Sequence, residues 1–342
     1  MRLTAAVAFF VLLVLPAAAQ NVLAPPGPTL EAVRERGHLV CASADPIPGF
    51  AQQDEAGLWS GFDVDFCRAV AAAVFGDAGR VEYRALTGSS RFAHLQAGVI
   101  DVLARNGAWT MWRDTAYGVR FVGESFYDGQ AVMVPESLGI VSAYELGGQS
   151  ICVLDVGENV AILEDFFFSL QASYTPVIYE AREDLTVAYT RGLCNAVAAP
   201  VSWLQSMRRG LAESSVHRIL PERISKDVLG PVVRAGDEQW FKIVRWTLYT
   251  LIAAEEAGVS SFNIASLGPA RTLAIRRLIG RAGVFGPSIG LEADFMSRII
   301  SSVGNYGEIF ERNFGPDTGA AMPRGQNALW SNGGLLYAPP IE

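Results

Sequence analysis

His38-Leu39-Val40-Cys41-Ala42, then Phe62–Phe75 (FDVDFCRAVAAAVF), then Val81-Glu82-Tyr83-Arg84-Ala85-Leu86 form the stretch whose pattern decides the fold. The outer two are short and carry β-branched and aromatic residues, as strands do. Between them Phe62, Phe66, Ala69, Val70, Ala73 and Val74 recur at helical spacing, and Gly76 supplies a stop. Strand, amphipathic helix, strand is the repeating unit of an α/β chain with mostly parallel sheets.

The same alternation extends outward. Upstream, the Pro-rich segment around Pro25, Pro26 and Pro28 reads as an extended lead-in, and Thr29 as the cap of a short helix ended by Gly37. Downstream, a helix is expected over Arg91–Ala97, ended by Gly98, and strands over Val99–Leu103, Phe126–Val134 and Ser150–Leu154. Val160–Ser169 reads as a helix, and Asp184–Arg191 as another between strands Pro176–Tyr179 and Asn195–Ala199. Trp240–Glu256 is a long core-facing helix, since Lys242 and Arg245 interrupt its apolar run. Two extended segments, Phe126–Val134 and Leu229–Arg234, read either as ordinary loops and strands or as two crossings of a hinge between lobes.

Half of the 342 residues are apolar and 18% are charged, against about 25% in an average soluble protein. Such a chain buries a large core, which excludes disorder as its main theme, and its length suits two domains. The formal charge, 27 − 35 = −8, argues against a nucleic-acid partner, which selects a basic face.

The first residues carry an address. Arg2 is followed by the apolar run Ala5–Leu15, then Pro16 and the small residues Ala17-Ala18-Ala19 before Gln20. Eleven residues fall short of the roughly 20 that span a bilayer, so residues 1–19 read as a cleaved signal peptide and the protein as exported to the periplasm. Four cysteines, Cys41, Cys67, Cys152 and Cys194, suit an oxidising compartment and two disulfides, with three connectivities open. Their spacing fits no zinc site and contains no Cys-x-x-Cys motif, so no metal or cofactor is expected. His38, His94 and His217 are scattered without the signature of a nucleophile's partner, and no catalytic residue is assigned.

Several motifs together resemble family 3 of the periplasmic solute-binding proteins, the receptors of polar amino-acid ABC importers. Gly61-Phe62-Asp63-Val64-Asp65 is similar to the family's Gly-hydrophobic-Asp-x-Asp signature, and Arg91-Phe92 with Leu95-Gln96-Ala97-Gly98 and Asp101-Val102-Leu103 to its helix–turn–strand. Arg105-Asn106-Gly107-Ala108-Trp109-Thr110-Met111-Trp112-Arg113 resembles its ligand loop. The four cysteine positions, Leu229-Gly230-Pro231, Gly236-Asp237-Glu238-Gln239-Trp240-Phe241 and the ending Asn327-Ala328-Leu329-Trp330 through Tyr337-Ala338-Pro339-Pro340 are similar to the general L-amino-acid and glutamate/glutamine/aspartate/asparagine-binding subgroup.

The resemblance implies a type II two-lobed α/β fold with a hinge of two crossing strands. Lobe 1 is expected over 20–131 and 233–342, and lobe 2 over 132–232. Disulfides Cys41–Cys67 and Cys152–Cys194, one per lobe, would leave the hinge free. The expected function is delivery of an amino acid or related small carboxylate to a membrane permease by lobe closure, by a monomer without catalysis. Arg113 matches the family's carboxylate-binding arginine, a role that suits the parallel donors of a guanidinium. Asn106, Gly107, Thr110, Phe50, Gly157, Glu158 and Asn159 complete the expected ligand set. Asp63 and Asp65 are read as capping or orienting the helix they open, and Phe50 equally as core.

This chain departs from the family pattern in three places. Ala108 stands where a Ser or Thr is usual, and Asp155-Val156-Gly157-Glu158-Asn159 replaces a Thr/Gly-rich turn. Pro200 occupies the position of the aspartate that accepts the ligand's ammonium. The expectation drawn from these is a carboxylate without an α-ammonium, held chiefly by Arg113, with Glu158 as the competing acceptor. A dehydratase-like enzyme on the same fold, with Glu158 as its acid, and a sensory receptor are the rival functions.

Overall fold

The computed structural model describes residues 27–43, 46–86, 88, 90–268 and 272–342. The signal peptide read over 1–19, the first part of the Pro-rich lead-in and two residues of the loop after the first strand lie outside the described residues. Among the described residues, no helix is long and apolar enough to cross a membrane.

Two five-stranded sheets organise the described chain. In the first, the order is Val81–Ala85, Leu39–Ser43, Val102–Leu103, Val232–Arg234, Val119–Phe121; in the second, Thr175–Tyr179, Ser150–Leu154, Ala196–Pro200, Gln130–Pro135, His217–Ile219. Leu39–Ser43 runs parallel to both of its neighbours, with Leu39 opposite Val81 and Cys41 opposite Val102. Each sheet is mixed, because the strand arriving from the other lobe enters antiparallel. Between the sheets lies an antiparallel pair, Phe126–Asp128 with Asp227–Leu229.

The helix Phe62–Phe75 falls where its apolar spacing places it, and Gly76 ends it in the left-handed conformation. It packs against Glu238–Glu256, Phe295–Val303 and Tyr306–Phe314, and Phe66, Val244, Ile299 and Phe310 share one buried core. The disulfides are Cys41–Cys67, joining strand to helix within the first lobe, and Cys152–Cys194 within the second.

Three local expectations are corrected. The first helix spans Pro28–Arg36 with Gly27 at its N-cap; Thr29 lies inside its first turn and does not cap it, and its own N–H, free at the helix start, donates to Asp237 Oδ2 at 2.9 Å. The same carboxylate caps Glu238–Glu256 by accepting from Trp240 N–H at 2.9 Å, so one side chain serves two helix starts. The strand expected over Val99–Leu103 shrinks to Val102–Leu103, because Val99 N–H closes the preceding helix on His94 O at 3.0 Å. Phe126–Val134 is two strands broken at Gly129, where a Cβ would meet Ser225 O at 2.5 Å. The chain therefore changes sheets at Gly129 and again between Leu229 and Val232, so Gln130 and Ala131 belong to the second sheet and Val232 to the first.

Candidate functional site

The segment 104–110 leaves the strand Val102–Leu103 and is fixed from three sides. Asn106 sits in the left-handed region at φ 44°, a conformation that Asn tolerates better than most residues. Its N–H donates to Asp63 Oδ2 at 2.7 Å. Gly107 O accepts from Gly230 N–H at 3.3 Å, and Trp109 N–H donates to Val228 O at 2.7 Å, which laces the loop to the hinge strand. Thr110 Oγ1 then accepts from Arg113 N–H at 3.2 Å and caps the short helix Met111–Ala116. Arg113 folds back over the loop, with Nη1 donating to Ala108 O at 2.8 Å. One guanidinium edge is thereby anchored, and a capped helix holds the residue's backbone.

The two acids of the Gly-hydrophobic-Asp-x-Asp signature act on distant segments. Gly61 is the N-cap of Phe62–Phe75 and provides no side-chain capping bond; of the two residues read as capping or orienting this helix, Asp63 bonds Asn106 and Asp65 bonds Arg68 and Arg312. Asp63 supports the 104–110 loop through Asn106. Its burial pushes the carboxyl up to about 7, against the opposing pull of the Asn106 hydrogen bond and of Arg105. Asp65 accepts from Arg68 at 3.0 Å, Arg312 at 2.9 Å and Asn313 at 2.9 Å, tying the helix to the C-terminal part of the chain.

Cations gather on this side. Arg91, lying over the Phe92 ring at 4.6 Å, is held down to about 10, first by burial and then by Arg105 and Arg113. The three guanidiniums border one small cavity with Gly107 and Ala108, so the loop offers a positive surface to an incoming anion.

The opposite side is acidic. Residues 155–158 form an exposed turn after the strand Ser150–Leu154, with Gly157 at φ 64° and open space around it. Glu158 is the N-cap residue of helix Asn159–Ser169 but makes no capping bond with its side chain. Asp227, at the start of its hinge strand, is half-buried. Burial raises its carboxyl, Arg113 pulls it down, and Glu158 pushes it up. The hinge acid therefore lies within electrostatic range of both the lobe 1 arginine and the lobe 2 glutamate.

Pro200 ends the strand Ala196–Pro200, where it has no side-chain acceptor and cannot cap the following helix. Asp128, from the hinge strand, takes that duty: it accepts from Ser202 N–H at 3.3 Å and from Ser202 Oγ–H at 2.5 Å. Phe50 is 1% exposed and packs edge-on against Phe126 and Phe314 at 4.9 and 5.0 Å. It sits in the core, the second of the two places read for it, rather than at an open surface. A cavity of about 640 Å³ opens elsewhere, between Gly49, Arg68 and Arg312 on one side and Ser206 and Arg209 on the other. None of the expected ligand residues lines it, and its one acid, Asp65, is already paired. The local sequence around Asp227 gives no sign of its placement at the hinge, although Asp227 stands two residues before the recognised Leu229-Gly230-Pro231 segment.

Residues 39–258 match the bacterial extracellular solute-binding proteins, family 3. The chain is similar to the general L-amino acid-binding periplasmic protein AapJ of Rhizobium johnstonii, 44% identical over 316 residues that cover 92% of this chain and 93% of that protein. It is 45% identical over 315 residues to the glutamate/glutamine/aspartate/asparagine-binding protein BztA of Rhodobacter capsulatus, covering 92% and 93%. Among solved structures, a periplasmic binding protein of an ABC transporter from Brucella ovis, with glutathione bound, superposes with a TM-score of 0.85 at 42% identity, covering 92% of this chain and 99% of that one. The matched span, the two-lobed fold and identity sustained over nearly the whole length agree: this chain belongs to family 3 of the bacterial extracellular solute-binding proteins.

Proposed function

We propose that this protein is a periplasmic receptor that closes its two lobes on an amino acid, or on a compound with an amino-acid head group, and presents it to the permease of an ABC importer. The observation that carries the reading is the polarity across the hinge. Arg113 is anchored on lobe 1 with donors left over, and Asp227 and Glu158 supply negative charge from the hinge and from lobe 2. A zwitterion matches that pattern better than the ammonium-free acid suggested by Pro200. Glutathione, held by the similar Brucella ovis protein, carries the same α-ammonium and α-carboxylate at its γ-glutamyl end.

In this reading Arg113 takes the carboxylate by parallel charge-assisted hydrogen bonds, Asn106 and Gly107 shape the loop beneath it, and Gly157, Glu158 and Asn159 close from the other lobe. Residues 1–19 are removed on export, the mature chain acts as a monomer, and the ligand leaves chemically unchanged. Calorimetric titration with L-glutamate, L-glutamine, L-aspartate, L-asparagine and glutathione is the test. Saturable binding at micromolar Kd or tighter, with the ligand recovered intact, supports the reading. Absence of binding by all five, or conversion of a bound compound, overturns it.

A further inference from the structure

We propose that the ligand's ammonium is held at the hinge, by the carboxylate of Asp227 with the side-chain oxygen of Gln130 as second acceptor. The assignment rests on the amino-acid reading above and identifies the group that replaces the acceptor missing at Pro200.

Gln130 is the direct antiparallel partner of Pro200, and opposed residues on such strands project to the same face. Its side chain therefore occupies the space beside the one where residue 200 would carry an acceptor. Gln130 is 1% exposed, and its Nε2 donates to Asn159 O at 3.2 Å, at the start of the lobe 2 helix. That contact fixes the orientation of the amide, because the reversed orientation would set two oxygens against each other. Oε1 then points away from Asn159, buried and without a hydrogen-bond partner among the described residues. Buried acceptors are almost always satisfied, so this oxygen lacks the donor that a ligand's ammonium would supply.

The same residue is wired to Asp227. Gln130 N–H donates to Ser225 Oγ at 2.8 Å, and Ser225 Oγ–H reaches Asp227 Oδ2 at 3.4 Å. Ser225 Oγ thus contacts both residues, accepting from the backbone N–H of Gln130 and donating to the carboxylate of Asp227. Asp128, opposite Asp227 in the hinge pair, is occupied by Ser202 and does not compete for the ligand. Glu158 lies in an exposed turn, where water screens its charge more than that of the half-buried Asp227.

The test takes the tightest binder among L-glutamate, L-glutamine, L-aspartate and L-asparagine together with its des-amino counterpart (glutarate, glutaramate, succinate or succinamate). Calorimetry on wild type and Asp227→Asn is expected to show about a 10- to 150-fold loss for the amino acid, the range of one charge-assisted hydrogen bond, and a change of less than about threefold for the des-amino acid. Ser225→Ala, which loosens both acceptors without removing a charge, is expected to give a smaller loss confined to the amino acid, and it carries the test should Asp227→Asn not fold. Equal losses for both compounds, no loss, or a larger selective loss in Glu158→Gln overturns the assignment. Failure of wild type to bind any of the four overturns the amino-acid reading itself, and is told apart because it needs no variant.

Discussion

Asn327 pairs with both polar backbone groups of Tyr127: Oδ1 accepts from Tyr127 N–H at 2.6 Å, and Nδ2 donates to Tyr127 O at 2.9 Å. Tyr127 is the middle residue of the hinge strand Phe126–Asp128, whose other edge pairs with Asp227–Leu229. A single amide, 2% exposed, thus stands in for a neighbouring strand. It comes from the C-terminal part of the chain, beyond the residues 39–258 that match the family. Nearby Met322 packs against the cores of both lobes, so this C-terminal part is built into the hinge region.

Asn327→Ala is expected to destabilise the protein by about 1–3 kcal/mol, because it leaves two part-buried backbone groups without partners. Asn327→Asp keeps the acceptor but sets a carboxylate against Tyr127 O, and a loss at least as large is expected. Urea unfolding curves check both; a change below about 0.5 kcal/mol in either variant contradicts the hinge role given to Asn327.

Arg113→Lys is expected to weaken amino-acid binding by about 10- to 150-fold, since an ammonium cannot bond Ala108 O and also offer a carboxylate two parallel donors. Arg113→Ala is expected to lose more. The melting temperature of either variant moves little, because the residue is half-exposed. Calorimetry beside a thermal melt separates the two effects, and unaltered affinity in Arg113→Ala counts against the carboxylate assignment.

The Asp63 carboxyl, raised from 3.8 to about 7, holds a proton more readily in the native state than in the unfolded chain. The stability linked to that proton is full below about pH 4 and is lost as pH rises through 7. Asp63→Asn keeps an acceptor for Asn106 N–H and removes the titration. The melting temperature of wild type relative to this variant is therefore expected to fall between pH 4 and pH 8. A constant difference across that range excludes Asp63 as the titrating group.

Replacing either cysteine pair by serine is expected to cost about 3–4 kcal/mol in the entropic account, slightly more for Cys152–Cys194, whose sequence separation is 42, than for Cys41–Cys67, at 26. Each bond stays within one lobe, so ligand affinity measured well below the melting temperature is expected to survive both replacements. Loss of binding in a stably folded variant would show that a disulfide shapes the cleft.

Much of the fold was legible because the determining signals are local. Phe62–Phe75 has its apolar spacing and its glycine stop in one short stretch, and Ile151–Leu154 is a continuous apolar run between polar Ser150 and Asp155. The helices beyond residue 258 carried a readable signal that went unused: Asn305 and Glu308 form a reciprocal capping box at the start of Tyr306–Phe314. The acidic half of the site was not legible in this way. The role proposed for Asp227 depends on strand pairing that sets it at the hinge within range of Arg113 and Glu158, and that proposed for Gln130 on the register that sets it opposite Pro200. Nothing in the local sequence of either residue encodes those neighbours.

Small-angle scattering of the mature protein, with and without a saturating amino acid, tests the closing receptor most directly. The radius of gyration is predicted to fall on saturation as the lobes rotate about Phe126–Asp128 and Asp227–Leu229. An unchanged radius at full occupancy would contradict closure about this hinge.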